Sequence, residues 1–300
     1  MLRVKLVSGP VGAPEHSLTA PRWKTEYMTA QEDPPATSDA NSAPVEDSDG
    51  PFAELEPTRE PVAQRIVLTL EACASSAGAM TIMELVKATG FAKTTVHRMC
   101  WMLVELGLLE HTPDGFSVGS KMFALAAANP RISELRIAAI PHLVELQKRT
   151  GAMTNLAILS DGRALVIDGL FTQGSVNITP LIGHALPLHC TAVGKAIAAQ
   201  LDPDERDRLL FGRGPLLRAT RSTLVQPGLL RQHLQRVAET GVAIADREFL
   251  PGIKSVAAGF RLRGGGAAAI GVVEAWNSPT LRNASVAVAA AAAALQQLPE

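Results

Sequence analysis

TIMELVKATGFAKTTVHRMCWMLVELGLLEH, residues 81–111, sets the reading of the whole chain. Its first four residues, Thr81 to Glu84, form a capping-box pattern. A Thr hydroxyl can accept from the third helical amide while Glu reaches back to the Thr amide, so a helix is expected to start there. Ile82, Leu85, Val86 and Thr89 then share one face, and Gly90 supplies a left-handed stop. A second helix is expected from about Lys93 to Leu106, with an apolar stripe of Val96, Met99, Cys100, Leu103 and Leu106, closed by Gly107. Two short helices joined by a three-to-four-residue turn are a helix-turn-helix. Upstream, Val62, Ile66, Val67, Leu70 and Ala74 repeat at helical spacing. Downstream, Leu108 to Val118 carries Pro113-Asp114-Gly115 and reads as a hairpin. Three helices plus a hairpin describe a winged helix.

In that arrangement the N-terminal end of the second helix of the motif enters the major groove of DNA. Its outward residues are Lys93, Thr94, Thr95, His97 and Arg98. Lys and Arg can meet phosphates or guanine edges, and a Thr can bond a phosphate or touch a thymine methyl. Residues 80–121 nevertheless carry four basic and four acidic side chains. Because phosphate neutralisation supplies most non-specific affinity, one such module should bind weakly, and at least a dimer on two half-sites of double-stranded operator DNA is expected. A solvated helical subdomain with no DNA role is the competing reading.

The 300-residue chain has a formal net charge of −1, unevenly spread. Residues 1–57 hold 4 basic and 10 acidic residues and eight prolines, and they read as a disordered tail. Within it Met28 is a second candidate start. Residues 58–121 then form the winged helix and 122–150 a linker helix region, in which Pro141 should kink the helix or begin a new turn. Residues 151–300 form a mixed domain. Strands are expected at 156–159, 164–167, 176–179, 242–245, 255–262 and 267–273, with Asp161-Gly162 as a hairpin turn. Helices are expected at 191–200, 229–240 and 279–298. The fold class is therefore α+β. Three cysteines without CxxC spacing indicate neither a disulfide framework nor a Cys-based zinc site. No segment has the length and apolarity of a membrane span, and a cytoplasmic protein is expected.

With those residues in hand, the chain resembles the IclR family of bacterial transcriptional regulators. The resemblance rests on 81–111, on FSVGSKMFAL (116–125), on GHALPLHCTAVGKA (183–196) and on DREFLPGIKSVAAG (246–259), and it spans roughly residues 60–298. It implies a C-terminal effector-binding domain of GAF-like topology, a homodimer or tetramer, and a small organic acid that alters operator binding. It also implies that the backbone at Ala192 and Val193 holds the effector's acid group, with Asp246 and Ser255 as further pocket residues. The chemistry agrees with the first of these: the opening amides of a helix lack intrahelical partners, and small side chains leave them open to a carboxylate. An ordinary capped helix start, with Thr191 as the cap, is the competing reading. For Asp246 a structural turn cap competes. Many members have Cys where Ser255 stands, and some have an acid at the position of Ala245 or small polar residues at those of Gly271 and Val273. These departures make the pocket less polar and favour a larger, aromatic carboxylate.

Enzyme readings find little support in the sequence. His189-Cys190 invites thiol chemistry, but neighbouring side chains on an extended segment point apart. Val193-Gly194-Lys195-Ala196 lacks the first Gly and the Ser/Thr of a phosphate loop. The histidines are scattered, and neither a metal site nor a cofactor is expected. The alternative to a regulator is a metabolic enzyme or small-molecule-binding module with a helical accessory domain.

Overall fold

The computed structural model describes residues 61–76, 78–171, 182–212, 214–278 and 284–297. The expected tail at 1–57, the strand at 176–179 and the first turn of the C-terminal helix lie outside the described residues. The chain divides into two compact units, the first ending at Ala126 and the second beginning at Ala127.

The first unit contains α1 (Val62–Ser75), α2 (Ile82–Thr89), α3 (Lys93–Glu105), β1 (Leu109–Thr112), β2 (Gly115–Val118) and most of α4 (Ser120–Ala127). The capping box at Thr81 is present: its amide donates to Glu84 Oε2 at 2.8 Å and its Oγ1 accepts from the Glu84 amide at 3.3 Å. Gly90 ends α2 at φ 70°. Leu85, Val96, Met99, Cys100, Leu103, Leu109 and Phe116 form the core, so three layers of the motif share one apolar centre. Leu106 departs from the expected stripe. It is half exposed because α3 ends at Glu105 and Gly107, at φ 74°, turns the chain away. Met80 exchanges both backbone hydrogen bonds with Phe116, adding a third short rung to the β1–β2 hairpin.

The second unit begins with α5 (Pro130–Thr150), where the Asn129 side chain caps the Ile132 amide and Pro130 occupies the first turn. The helix break thus falls at Asn129-Pro130, and α5 continues through Pro141. Pro at the first helical position costs no hydrogen bond, whereas Pro141 loses one on an exposed face that water can reach. Leu135, Ala139, Leu143 and Leu146, the inward stripe of α5, are buried against the sheet. The remaining elements are β3 (Met153–Ser160), β4 (Arg163–Leu170), β5 (Ala185–Leu186), α6 (Ala192–Ala198), α7 (Pro203–Phe211), α8 (Pro227–Thr240), β6 (Ala243–Asp246), β7 (Ile253–Arg261), β8 (Ala267–Ala275) and α9 (Ala284–Gln296). Neither α7 nor β5 was expected from periodicity. The first is largely polar and the second is only two residues long.

The strands form one antiparallel sheet in the order β5-β4-β3-β8-β7-β6. Asp161 and Gly162 join β3 to β4 with φ of 50° and 74°, the two positive values that a tight hairpin turn demands. One face of the sheet carries Leu156, Val256, Ala258, Phe260, Ile270 and Val272 and is covered by α5 and the Ala-rich α9. The other face, carrying Asn155, Ser255, Ala257 and Gly259, is covered by α6, on which α8 packs. Helix and sheet meet closely there. A Cβ on Gly259 would stand 2.3 Å from the Ala196 carbonyl oxygen, with only backbone to yield. Gly259→Ala is therefore expected to destabilise the protein by about 1–3 kcal/mol, as an overpacked contact does. Chemical denaturation measures it, and an unchanged midpoint would contradict the tight helix–sheet contact.

Candidate functional site

Two sites emerge, one in each unit. In the first, Lys93, Thr94, His97 and Arg98 are exposed on α3, and Thr95 is half-buried. Val96, Met99 and Cys100 are buried from the same helix, so its two faces are cleanly divided. The N-cap is Ala92, which offers no side-chain cap, so the first amides of α3 stay open to an anion. Among the described residues neither Lys93 nor Arg98 forms a hydrogen bond or an ion pair. Trp101 fixes the helix against the hairpin: its Nε1 donates to His97 Nε2 at 3.2 Å, and its ring packs on His111 and edge-on against Phe116. It is a brace with one side exposed, a residue that the helical stripe did not include.

The second site is a cavity of about 40 Å³ between the start of α6 and the sheet. Thr191 caps α6. Its Oγ1 accepts from the Gly194 amide at 3.1 Å and donates to the Pro187 carbonyl at 2.8 Å. That cap serves the third amide of the turn and leaves those of Ala192 and Val193 without an intrahelical partner. Both residues line the cavity, and so does Ser255 on β7. Asp246 does not. Ala243 and Ala245 point inward from β6, and strand alternation sends Ile244 and Asp246 outward. The Asp246 carboxylate instead accepts from Arg247 Nε at 2.9 Å and lies 3.8 Å from Lys254 Nζ.

The residue that enters in its place is Glu248. Arg247 adopts a left-handed backbone at φ 57°, rare for a non-glycine residue, and so breaks the alternation. Its side chain lies over Trp276, and its carbonyl accepts from Thr220 Oγ1 at 2.6 Å. Thr223 Oγ1 donates to the Glu248 carbonyl at 2.7 Å. The kink is thus held from both sides, and Glu248 turns into the interior. There its Oε1 accepts from Lys195 Nζ at 2.5 Å, and the same ammonium donates to the Ile244 carbonyl at 3.1 Å. Lys195 is fully buried on a helix whose seven residues are all buried. Burial pulls the Lys195 ammonium below its ordinary range and pushes the Glu248 carboxyl above its own, while their mutual attraction opposes both. Glu248 Oε2 is buried with no hydrogen-bond partner, although the Asp246 amide lies close enough to draw the carboxyl pKa down.

Asn155 on β3 is the other residue that sequence reasoning missed. It is buried, faces Gly271 across the β3–β8 pair, lines the cavity and leaves its Oδ1 without a partner. The departures at Ala245, Gly271 and Val273 suggested a less polar pocket, whereas Asn155 and Glu248 supply polar groups from other positions. The signal for Glu248 was available. A Lys inside an otherwise apolar helix requires a buried carboxylate somewhere, but nothing local says which one.

The remaining polar groups near α6 do not form a catalytic set. Burial pushes the Cys190 thiol up to about 12, so it is neither ionised nor activated near neutral pH. His189 Nε2 is engaged with the Leu217 carbonyl at 2.8 Å, and its pKa is lowered by burial. His233 is brought down to about 4 by burial and by the nearby Lys195 and Arg236 charges. Among the described residues, no three His, Cys, Asp or Glu side chains cluster as metal ligands, and no helix is long and apolar enough to cross a membrane.

Comparison with known proteins matches both units. The family described as IclR helix-turn-helix domain matches residues 62–113, and that described as bacterial transcriptional regulator IclR C-terminal matches residues 131–297. The transcriptional repressor IclR of Escherichia coli is 28% identical over 193 residues, covering 63% of this chain and 70% of its own. The HTH-type transcriptional regulator BhcR of Paracoccus denitrificans is 32% identical over 216 residues, covering 71% of this chain and 75% of its own. Among solved structures, an IclR homolog from Microbacterium hydrocarbonoxydans, complexed with 4-hydroxybenzoate, superposes with a TM-score of 0.70 at 25% identity. It covers 78% of this chain and 97% of that one.

Proposed function

Since the chain belongs to the IclR family of bacterial transcriptional regulators, we propose that it binds operator DNA through α3 and releases or tightens that grip when a small organic acid enters the α6 cavity. The observation that carries the DNA reading is the exposed pair of unpaired cations, Lys93 and Arg98, at a helix start without a side-chain cap. Thr94, Thr95 and His97 complete the reading face. The acid's carboxylate rests on the Ala192 and Val193 amides, with Ser255 opposite. Asp246 holds the Arg247 kink in place. The 4-hydroxybenzoate bound by the Microbacterium homolog supports an acid as the effector class.

The cavity, about 40 Å³, is well below the roughly 150 Å³ of one that takes up benzene, so a ring-sized acid enters only as lining side chains give way. The protein acts in the cytoplasm as a homodimer or tetramer. Balanced charge on the winged helix makes a single copy a weak binder. Phe123 on α4 and Ile137 on α5, 72% and 70% exposed, are large apolar side chains suited to self-association. Ligand can shift operator affinity only by its differential affinity for two arrangements of the protein, typically about 1–3 kcal/mol.

Gel-shift titration of the DNA upstream of the protein's own gene tests the reading. Binding is expected to be saturable and to weaken steeply between low and physiological salt, because cations on two winged helices displace counterions. Turnover of an organic acid by a protein with no DNA affinity at low salt would favour an enzyme instead.

A further inference from the structure

Trp101 and His97 share a hydrogen bond that fixes where a proton sits on the exposed face of α3. Side chains on a helix lean toward its N-terminus, so Trp101 reaches back over the residue four positions earlier. Its indole Nε1 donates to His97 Nε2 at 3.2 Å. An indole N–H can only donate, so His97 Nε2 offers a lone pair, and the proton of the neutral imidazole stands on Nδ1. In water an unassisted imidazole side chain favours the opposite form, with the proton on Nε2.

The indole is itself held by the wing. Its ring centroid lies 4.9 Å from that of His111 on β1 and 5.7 Å from that of Phe116 on β2, the latter edge-on at 86°. Phe116 is buried in the core of the first unit, so the packing is anchored. His97 is exposed, and among the described residues its Nδ1 has no hydrogen-bond partner. A donor of fixed identity is thus left free on the second turn of α3.

The two tautomers would read opposite edges in a major groove. An N–H finds acceptors at guanine N7 and O6, whereas a lone pair finds the amino donors of cytosine and adenine. We propose that His97 reads a guanine edge in each half-site through its Nδ1–H, with Trp101 as the positioning residue that keeps it a donor. This rests on the DNA-binding reading above and deepens it. Cytosine at that position would set its own amino donor against the imidazole N–H and leave both without an acceptor, so discrimination falls on cytosine first. The wing acts on sequence preference through the indole it packs.

Selection from randomised duplexes by the full-length protein gives the base preference at every position. It is run at pH 8, where an ordinary imidazole is neutral. One position in each half-site is expected to favour guanine over cytosine by about tenfold, and His97→Ala is expected to bring that preference below about twofold. Trp101→Phe keeps an aromatic ring against the wing and deletes the donor. It is expected to cut the same preference by about threefold or more, the worth of one hydrogen bond, with the other positions unchanged. Nitrogen NMR of the imidazole in the DNA-free protein reads the proton directly: it is expected on Nδ1 in the wild type and shifted toward Nε2 in Trp101→Phe. A proton on Nε2 in the wild type overturns the proposal. So does a guanine preference unchanged in either variant, or a loss in Trp101→Phe spread evenly over all positions. If the proton stands on Nδ1 and no duplex is enriched, the DNA-binding reading itself fails, and this proposal with it.

Discussion

Lys195→Met is expected to lower the unfolding free energy by about 3–5 kcal/mol, the cost of removing one partner from a buried ion pair. Lys195 has no exposed surface, and its ammonium makes two hydrogen bonds, to Glu248 Oε1 and to the Ile244 carbonyl. Removing it strands a carboxylate inside the second unit, where Oε2 already has no partner. Methionine fills much of the same volume, so the loss reports charge rather than a cavity. The double variant Lys195→Met, Glu248→Leu is expected to recover most of the deficit, since an apolar pair of similar volume often matches or exceeds a buried ion pair. Urea denaturation followed by circular dichroism gives both numbers. Equal destabilisation in the single and double variants would mean that Lys195 matters for packing and not for its charge. The pair also fixes the Arg247–Glu248 turn against α6. The single variant should therefore lose acid binding before it loses its fold.

Arg98→Ala is expected to weaken operator binding by about 1–3 kcal/mol at each half-site, the range of a well-made side-chain contact to a base. Two copies on one operator compound this to a loss of roughly 30-fold or more. Arg98 is exposed and unpaired among the described residues, and the helix beneath it is held by Val96, Met99 and Cys100. The substitution should therefore leave stability and acid binding unchanged. Salt dependence then separates two roles. A base contact leaves the slope of affinity against salt unchanged, whereas a phosphate contact lowers it by about one for each copy lost. Full affinity in the variant would move the reading face away from α3.

Much of the first unit was legible because its determinants are local. The Thr81–Glu84 box, the left-handed Gly90 and the stripe from Val96 to Leu103 each lie within one turn or one helix of their partners. Leu106 was misplaced because a terminal residue of a stripe is buried only if the helix continues, and this one stops. The second unit was legible as strands and helices, with Asp161-Gly162 marking its first hairpin. Pro141 seemed the natural break in the long helical region, yet Asn129-Pro130 has both a cap and a proline in the tolerated position.

The lining of the α6 cavity was legible in half. Ala192, Val193 and Ser255 lie where small residues and a helix start meet a strand. Asp246 looked equivalent to them in the sequence, but strand alternation turns it outward, and the left-handed Arg247 brings Glu248 in.

What the sequence determined alone is everything that depends on spacing along the chain: the helix-turn-helix, its outward Lys93–Arg98 face, the α+β second unit and the family. Tertiary structure decided which side chains share the cavity. Asn155 and Glu248 come from β3 and the turn after β6 and line it together, with Lys195 of α6 holding Glu248, only once the sheet register and the helix laid across it are set. A buried polar group is defined by what surrounds it, and in this molecule those surroundings are assembled from segments 93 residues apart.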